Sequence, residues 1–220
     1  MKQLLVVLKS LKKGKSRDPL NLVNDIFRPE VAGNDLKEAL LKLVNKIKEQ
    51  QTFPTKLKFA DITSVYKGKG KKSEMDNQRG IFNLVTIRTI IDKLIYQDEY
   101  ENIEKNLTDC NVGAQKQRNV RDNLFVVNGV INSVIAGDDD PIDVDLYDIK
   151  KCFDSLWIKE VINDLYEANV KNDNLALLYD VNKKNRVSIK TPFGLTDPFE
   201  LNEVILQGTV FGPLKCSVQI

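Results

Sequence analysis

The stretch Asp145–Trp157, which reads DLYDIKKCFDSLW, is the part of the chain that says most about its fold. Its three acidic residues, Asp145, Asp148 and Asp154, surround the end of an apolar alternation. Acids at the end of a buried strand need a cation or a hydrogen-bond partner, because burying an unpaired charge is costly. Carboxylate oxygens bind Mg²⁺ well, so the pattern indicates a metal site. Spacing does not choose among the three acids, and acids that are solvated or cap the turn are the alternative.

The residues on either side predict a strand followed by a helix. Apolar and polar residues alternate over 142–146, which is the period of a strand with one buried face. From Trp157 the pattern is helical, with Val161, Ile162 and Leu165 on one side. A strand that ends in a carboxylate and leads through a tight turn into a helix places an oxygen ligand at a sheet edge, facing a cleft.

Hydrophobic periodicity and turn residues predict the other elements. They are helices over 35–49 and 88–107, a helix from 120 to a cap at 137, a strand over 57–66, a hairpin over 186–206 and a helix starting at Pro213. Asp35 and Glu38 have the spacing of a capping box. The segment KGKGKKSEMDNQRG (67–80) has glycines and cations without periodicity, which predicts a mobile turn.

Charge is unevenly distributed along the chain. Lys and Arg number 33 and Asp and Glu number 31, which gives a net charge of +2. Residues 1–72 hold 17 basic and 7 acidic side chains, so the remaining residues carry a net negative charge. The first third is therefore suited to a polyanion, and the remainder to divalent cations.

Residue usage excludes two large classes of chemistry. The chain has no histidine and only three widely spaced cysteines, so the usual zinc ligand sets and Ser-His-Asp or Cys-His catalysis cannot be assembled. An odd number of cysteines behind an opening that is unlike a secretory leader predicts a reducing, intracellular compartment. No segment is apolar and long enough to predict a membrane span or a membrane partner.

Four motifs, in order, carry a resemblance to a known family. They are LKKGKSRDP (11–19), VYKGKG (65–70) with NQRGI (77–81), YDIKKCFDSLW (147–157) and VILQGTVFGPL (204–214). They resemble the basic opening, the fingers segment, the first catalytic motif and the Gln-Gly motif of reverse transcriptases from non-LTR (LINE-type) retrotransposons. Together they cover nearly the entire chain.

The resemblance implies an α+β fold, the fingers and partial palm of a right-hand polymerase, with an antiparallel palm sheet backed by helices. On this basis residues 1–55 form an N-terminal extension and helical segment, 56–140 the fingers, and 141–220 a partial palm without a thumb. The family continues from its Gln-Gly motif to a paired Asp-Asp, and this sequence reaches Ile220 without one.

For the metal, the resemblance implies that Asp148 is the catalytic carboxylate ligand and that the backbone carbonyl of Ile149 is a second ligand. The family uses two Mg²⁺ ions, and Asp148 supplies only one of the carboxylates that hold them. Phe153 falls where the family keeps an aromatic side chain against the sugar of the incoming nucleotide. From its sequence position alone, Phe153 could equally be a core residue.

The resemblance also implies several contacts to nucleotide and nucleic acid. Lys67 and Arg79 would contact the triphosphate, although a solvated basic turn is the alternative for this segment. Gln207 and Gly208 would contact the nucleotide and the template. The nucleic-acid-binding residues of the basic opening would be Lys12, Lys13, Lys15 and Arg17.

The parent reaction implied is RNA-templated addition of deoxynucleotides to a DNA 3' end, with an RNA template, a DNA primer, dNTPs and the rest of the retrotransposon polyprotein as partners. We expect this polypeptide to be inactive alone, because the second catalytic Asp motif is missing. Two alternatives stay open. One is a non-catalytic nucleic-acid-binding remnant of a retrotransposon, and the other is a poorly folding gene fragment.

Overall fold

The protein is described by a computed structural model over residues 1–107, 111–113, 115–137, 140–147, 156–202, 205–206 and 209. Within these residues the fold combines helices with one five-stranded sheet, and the predicted α+β class is confirmed. The polymerase architecture that the resemblance implies stays a prediction.

Helices make up most of the described chain. They are α1 (Lys2–Lys9), α2 (Asn34–Gln50), α3 (Thr86–Glu104), α4 (Val120–Ala136), α5 (Ile158–Glu167) and α6 (Asn172–Val181). Short 3-10 turns occupy Asn24–Phe27, Thr55–Lys58 and Met75–Asn77. The helices predicted over 35–49 and 88–107, from Val120 and from Trp157 are confirmed, and Gly137 adopts the left-handed conformation expected of a C-terminal cap.

The sheet joins strands that are far apart in sequence. Its strands are β1 (Phe59–Tyr66), β2 (Gln78–Leu84), β3 (Asn185–Thr191), β4 (Gly194–Leu195) and β5 (Phe199–Leu201). β1 lies between β2, which is antiparallel to it, and β3, which is parallel to it. β4 and β5 pair antiparallel with the other edge of β3, which confirms the hairpin predicted over 186–206 in part, since its return strand ends at Leu201. The described sheet is therefore mixed, whereas an antiparallel sheet was expected.

Two groups of buried apolar side chains hold these elements together. In the larger group, α1 packs on α3, α5 packs on α6, and α6 also contacts α2. Its fully buried members include Leu8, Ile47, Ile95 and Leu165, and burying each such side chain contributes about 1.5–3 kcal/mol. The smaller group lies against one face of the sheet and contains Ala60, Leu84, Val187 and Leu206.

Several local predictions were wrong or incomplete. α2 begins after Gly33 with no side-chain cap, so the capping box predicted from Asp35 and Glu38 does not form. Part of the segment predicted as a turn over 67–80 is strand, because Gln78–Leu84 pairs along β1. The sequence reasoning also missed α6, whose buried side chains include Leu175, Leu177 and Leu178.

The strand predicted over 142–146 does not form. Residues 140–147 are neither helix nor strand, and Leu146 and Tyr147 are more than nine-tenths exposed. An alternating segment becomes a strand only when its backbone pairs with a neighbour. No strand in the described part of the chain pairs with residues 140–147.

Helix α4 forms as predicted, yet its apolar face is not buried. Asn119 and Asp122 complete a capping box at its first turn, so local signals suffice to start the helix. None of the α4 residues is buried, and Phe125 is 82% exposed. The helix predicted to start at Pro213 lies outside the described residues.

Candidate nucleotide and nucleic-acid interface

The β1–β2 hairpin brings together the two residues that were predicted to bind the triphosphate. Val65 pairs directly with Arg79, and the backbone N–H of Lys67 donates to the carbonyl of Asn77 at 2.9 Å, which continues the same register by two residues. Directly paired residues share a face of the sheet, as do alternate residues along a strand. Lys67 and Arg79 are therefore diagonal neighbours on one face, and both are exposed.

Side-chain hydrogen bonds define the turn that carries Lys67. Lys67 Nζ donates to the Asp76 carbonyl at 2.7 Å, and the Tyr66 hydroxyl donates to the Gly70 carbonyl at 2.6 Å. Asn77 Nδ2 donates to the Lys71 carbonyl at 3.0 Å. Gly70 has φ +72°, and a Cβ there would collide with the Asn77 side chain. The backbone beside Lys67 thus has a specific conformation that requires glycine at position 70.

The same sheet face carries two cations that the sequence reasoning did not assign. Arg186 pairs with Phe59 and Lys190 pairs with Thr63, so both lie on the face of Arg79. The Arg186 guanidinium lies 5.3 Å from the centroid of the Phe59 ring. The alternation in RVSIK, which predicted the strand, also places Arg186 and Lys190 on one face, and that period was the signal available in the sequence.

The opposite face of the sheet is apolar. Ala60, Leu84 and Val187 pack there with the buried Leu206, and Phe82 lies against them. The sheet is therefore two-sided, with a core face and an exposed face that carries the cations.

Two acids lie on the same face as these cations. Glu200 of β5 pairs directly with Arg186, and Asp61 lies on β1. Burial raises the pKa of Asp61, the positive charge of Lys190 opposes that rise, and the negative charge of Asp18 adds to it. A carboxyl with a raised pKa takes up a proton at a higher pH than an ordinary aspartic acid. The negative charge of Asp61 therefore weakens at a higher pH than that of an ordinary aspartate.

The basic opening forms an exposed loop tied to the end of β2. Lys12, Lys13, Lys15 and Arg17 are all exposed. Asn83 Nδ2 donates to the carbonyl of Arg17 at 2.9 Å, which joins the loop to a strand of the cationic face. Lys13 forms an ion pair with Glu30 at 3.4 Å, so its charge is partly neutralised. Hydrogen bonding from Arg28, the largest cause, lowers the pKa of Glu30 to about 2 and keeps that partner ionised.

The residues of the predicted metal centre lie outside the part of the chain that the structure describes. Asp148, Ile149, Phe153, Gln207 and Gly208 lie outside the described residues, so their predicted roles stay predictions. Asp145, one of the alternative acids, is exposed. Among the described residues, no group of three or more acidic or cysteine side chains is arranged to hold a metal ion.

The comparisons with known proteins give no family. No protein-family model matches the chain, and no curated protein is significantly similar to it. In the described ranges, no helix has the combination of length and apolar character needed to cross a bilayer.

Proposed function

We propose that this chain is the fingers and partial palm of an RNA-directed DNA polymerase of the retrotransposon type, and that the β1–β2 hairpin binds the triphosphate of an incoming deoxynucleotide. The observation that supports the proposal is the shared, exposed face of Lys67 and Arg79. A flexible ammonium and a planar guanidinium on one face suit the phosphate oxygens of a triphosphate. The four motifs, which occur in the same order as in the family they resemble, are the second support for the proposal.

In the proposed mechanism the residues of this chain bind and orient the reactants. Lys67 and Arg79 neutralise the triphosphate, and the Asp148 carboxylate and Ile149 carbonyl supply hard oxygen donors that fit Mg²⁺. A magnesium ion held by Asp148 and Ile149 would supply Lewis-acid activation of the 3' hydroxyl and charge stabilisation for the leaving pyrophosphate. Gln207 and Gly208 position nucleotide and template, and Phe153 contacts the sugar. This chemistry needs no protein nucleophile, which agrees with a histidine-free sequence.

The proposal is tested by the binding of a fluorescent dNTP to the purified chain. We expect Lys67→Ala and Arg79→Ala each to weaken dNTP binding about tenfold, because each removes a charge-assisted contact to phosphate. Lys42→Ala and Lys46→Ala, exposed lysines of α2, are the matched controls and should leave binding unchanged. Equal effects of hairpin and control variants would refute the proposed nucleotide site.

Synthesis is tested separately, in a longer chain that supplies an Asp-Asp motif after the Gln-Gly motif. Asp148→Ala should abolish magnesium-dependent primer extension there and leave RNA binding largely intact. The 220-residue chain should show no extension, because it lacks the Asp-Asp motif that would supply the second carboxylate ligand for two metal ions.

A second candidate function is a non-catalytic nucleic-acid-binding remnant. The observation that favours it is that Arg79, Arg186 and Lys190 share one sheet face. Binding of phosphates to these three cations would need no metal ligand. This candidate predicts salt-sensitive RNA binding that survives Asp148→Ala. If RNA binds and dNTPs do not, the remnant is the better description.

A further inference from the structure

An unusually exposed aromatic residue occupies the turn between β3 and β4. Phe193 is 100% exposed, whereas a phenylalanine normally buries most of its ring. The Thr191 hydroxyl donates to the Gly194 carbonyl at 2.8 Å and accepts from the N–H of Phe193 at 3.2 Å. Gly194 has φ +124°, which favours glycine. Hydrogen bonds and backbone conformation thus hold a turn that presents the Phe193 ring to solvent.

The strand leading to this turn carries two exposed cations on one face. Arg186 and Lys190 are four residues apart on β3, so their Cα atoms are separated by roughly 13 Å. Arg186 lies opposite Glu200 of β5, but within the described part of the chain neither cation has a carboxylate within ion-pair distance. Arg186 contacts a ring face through Phe59. Both side chains therefore keep N–H groups for a ligand with well-separated negative charges.

We propose that β3 and the β3–β4 turn bind an unpaired nucleic-acid strand, with phosphates on Arg186 and Lys190 and one base stacked on Phe193. Cations along a strand with an exposed aromatic ring nearby are the chemistry by which proteins bind single strands. A duplex satisfies the cations but offers no unstacked base for the ring, so the aromatic residue favours a single strand over a duplex.

This inference rests on the proposed function, from which it takes nucleic acid as the class of partner. It deepens that function by naming a second set of contacts. The nucleotide site uses Lys67 and Arg79 at the β1–β2 turn, whereas the strand site uses β3 and its own turn. Thr63 and Val65 of β1 lie between the two strands on the exposed face. The two sites can therefore be disabled separately.

The test measures binding of a short, fluorescently labelled single-stranded RNA to the full 220-residue chain over a series of salt concentrations. We expect Phe193→Ala to weaken binding about tenfold with an unchanged salt slope, because stacking carries no charge. Arg186→Gln and Lys190→Gln should each weaken binding and reduce the slope of log affinity against log salt by about 0.7. The unsubstituted chain should bind the single strand more tightly than a duplex of equal length.

Matched controls come from exposed residues away from the sheet. Phe125→Ala on α4 removes a similarly exposed ring, and Lys42→Gln and Lys46→Gln remove exposed charges on α2. The circular dichroism spectrum of each variant is to be recorded as a check that the variant is folded. The inference is overturned if Phe193→Ala behaves like Phe125→Ala, if the β3 charge variants behave like the α2 variants, or if duplex binds as tightly as single strand.

The two proposals fail in different ways. If Lys67→Ala and Arg79→Ala do not weaken dNTP binding while the β3 variants still weaken RNA binding, the nucleotide site is overturned and the strand site is supported. Effects of Lys67 and Arg79 without any β3 effect give the opposite result. The β3 variants should leave dNTP binding by the chain unchanged.

Discussion

Gly70 is the residue on which the geometry of the nucleotide site depends most directly. Its φ of +72° is costly for a residue with a side chain, and a Cβ would meet Asn77, which holds the turn by a hydrogen bond to the Lys71 carbonyl. The backbone of Lys67 pairs with that of Asn77. Displacement of the Asn77 side chain would break its hydrogen bond to the Lys71 carbonyl and so loosen the turn that follows Lys67.

We predict that Gly70→Ala weakens dNTP binding and lowers the melting temperature of the chain. The left-handed conformation alone costs an alanine about 1–2 kcal/mol, and the collision with Asn77 adds to that cost. Thermal melting and fluorescent dNTP binding measure the two effects.

Gly68→Ala is the matched control, because Gly68 has φ +80° but open space where a Cβ would lie. It should share the conformational cost without the collision. Equal effects of the two substitutions on stability and on dNTP binding would contradict the role assigned to Gly70.

At the scale of elements, the exposed sheet face places an acid in a position that costs stability. Asp61 shares this face with Lys190, and its pKa is raised chiefly by burial. A carboxyl that binds protons more tightly when folded makes the free energy of unfolding fall as pH rises through the folded pKa. Its protonation relieves this cost.

We predict that Asp61→Asn raises the free energy of unfolding at neutral pH. The difference from the unsubstituted chain should shrink as pH falls through the raised pKa and approach a constant value below the ordinary aspartic pKa, about 3.9. Urea denaturation over a pH series measures it. The same substitution should strengthen RNA binding at neutral pH, because it removes one of the two acids from the cationic face. A difference that stays constant with pH would contradict the assignment.

The sequence correctly predicted the elements that local residue patterns specify. It failed for segments that become strands only by pairing with residues far away along the chain. α2 and α4 follow from helical periodicity, and β1 from its residue types. β2 was missed because Gln78–Leu84 becomes a strand through pairing with β1, and residues 142–146 were predicted as a strand although no described strand pairs with them. In the candidate site, the motifs identified Lys67 and Arg79 but not that they share a face of the sheet. That arrangement depends on the register of the hairpin, which motif matching does not supply.

At the scale of the whole molecule, contacts join the predicted fingers range, 56–140, to the predicted partial palm range, 141–220. β1 pairs with β3 across this boundary. Lys58 forms an ion pair with the Asp180 carboxylate at 2.9 Å and also donates to the Asp180 carbonyl at 2.7 Å. The fully buried Arg88 donates to Asn185 at 2.7 Å. Burial lowers the pKa of Arg88, while Asp92 opposes that change.

These contacts predict that residues 1–140 do not fold on their own. Without residues 141–220, β1 loses a strand neighbour, Arg88 loses its Asn185 acceptor, and the larger core loses α5 and α6. A buried polar group that loses its hydrogen-bond partner commonly costs about 1–3 kcal/mol, a sizeable part of the stability of a domain. We expect a fragment of residues 1–140 to show a broad, non-cooperative melt by circular dichroism, and co-expression with residues 141–220 to restore a single sharp transition. A fragment that melts cooperatively at the temperature of the whole chain would show instead that the two ranges are independent folding units, because the contacts between them would then contribute little to either.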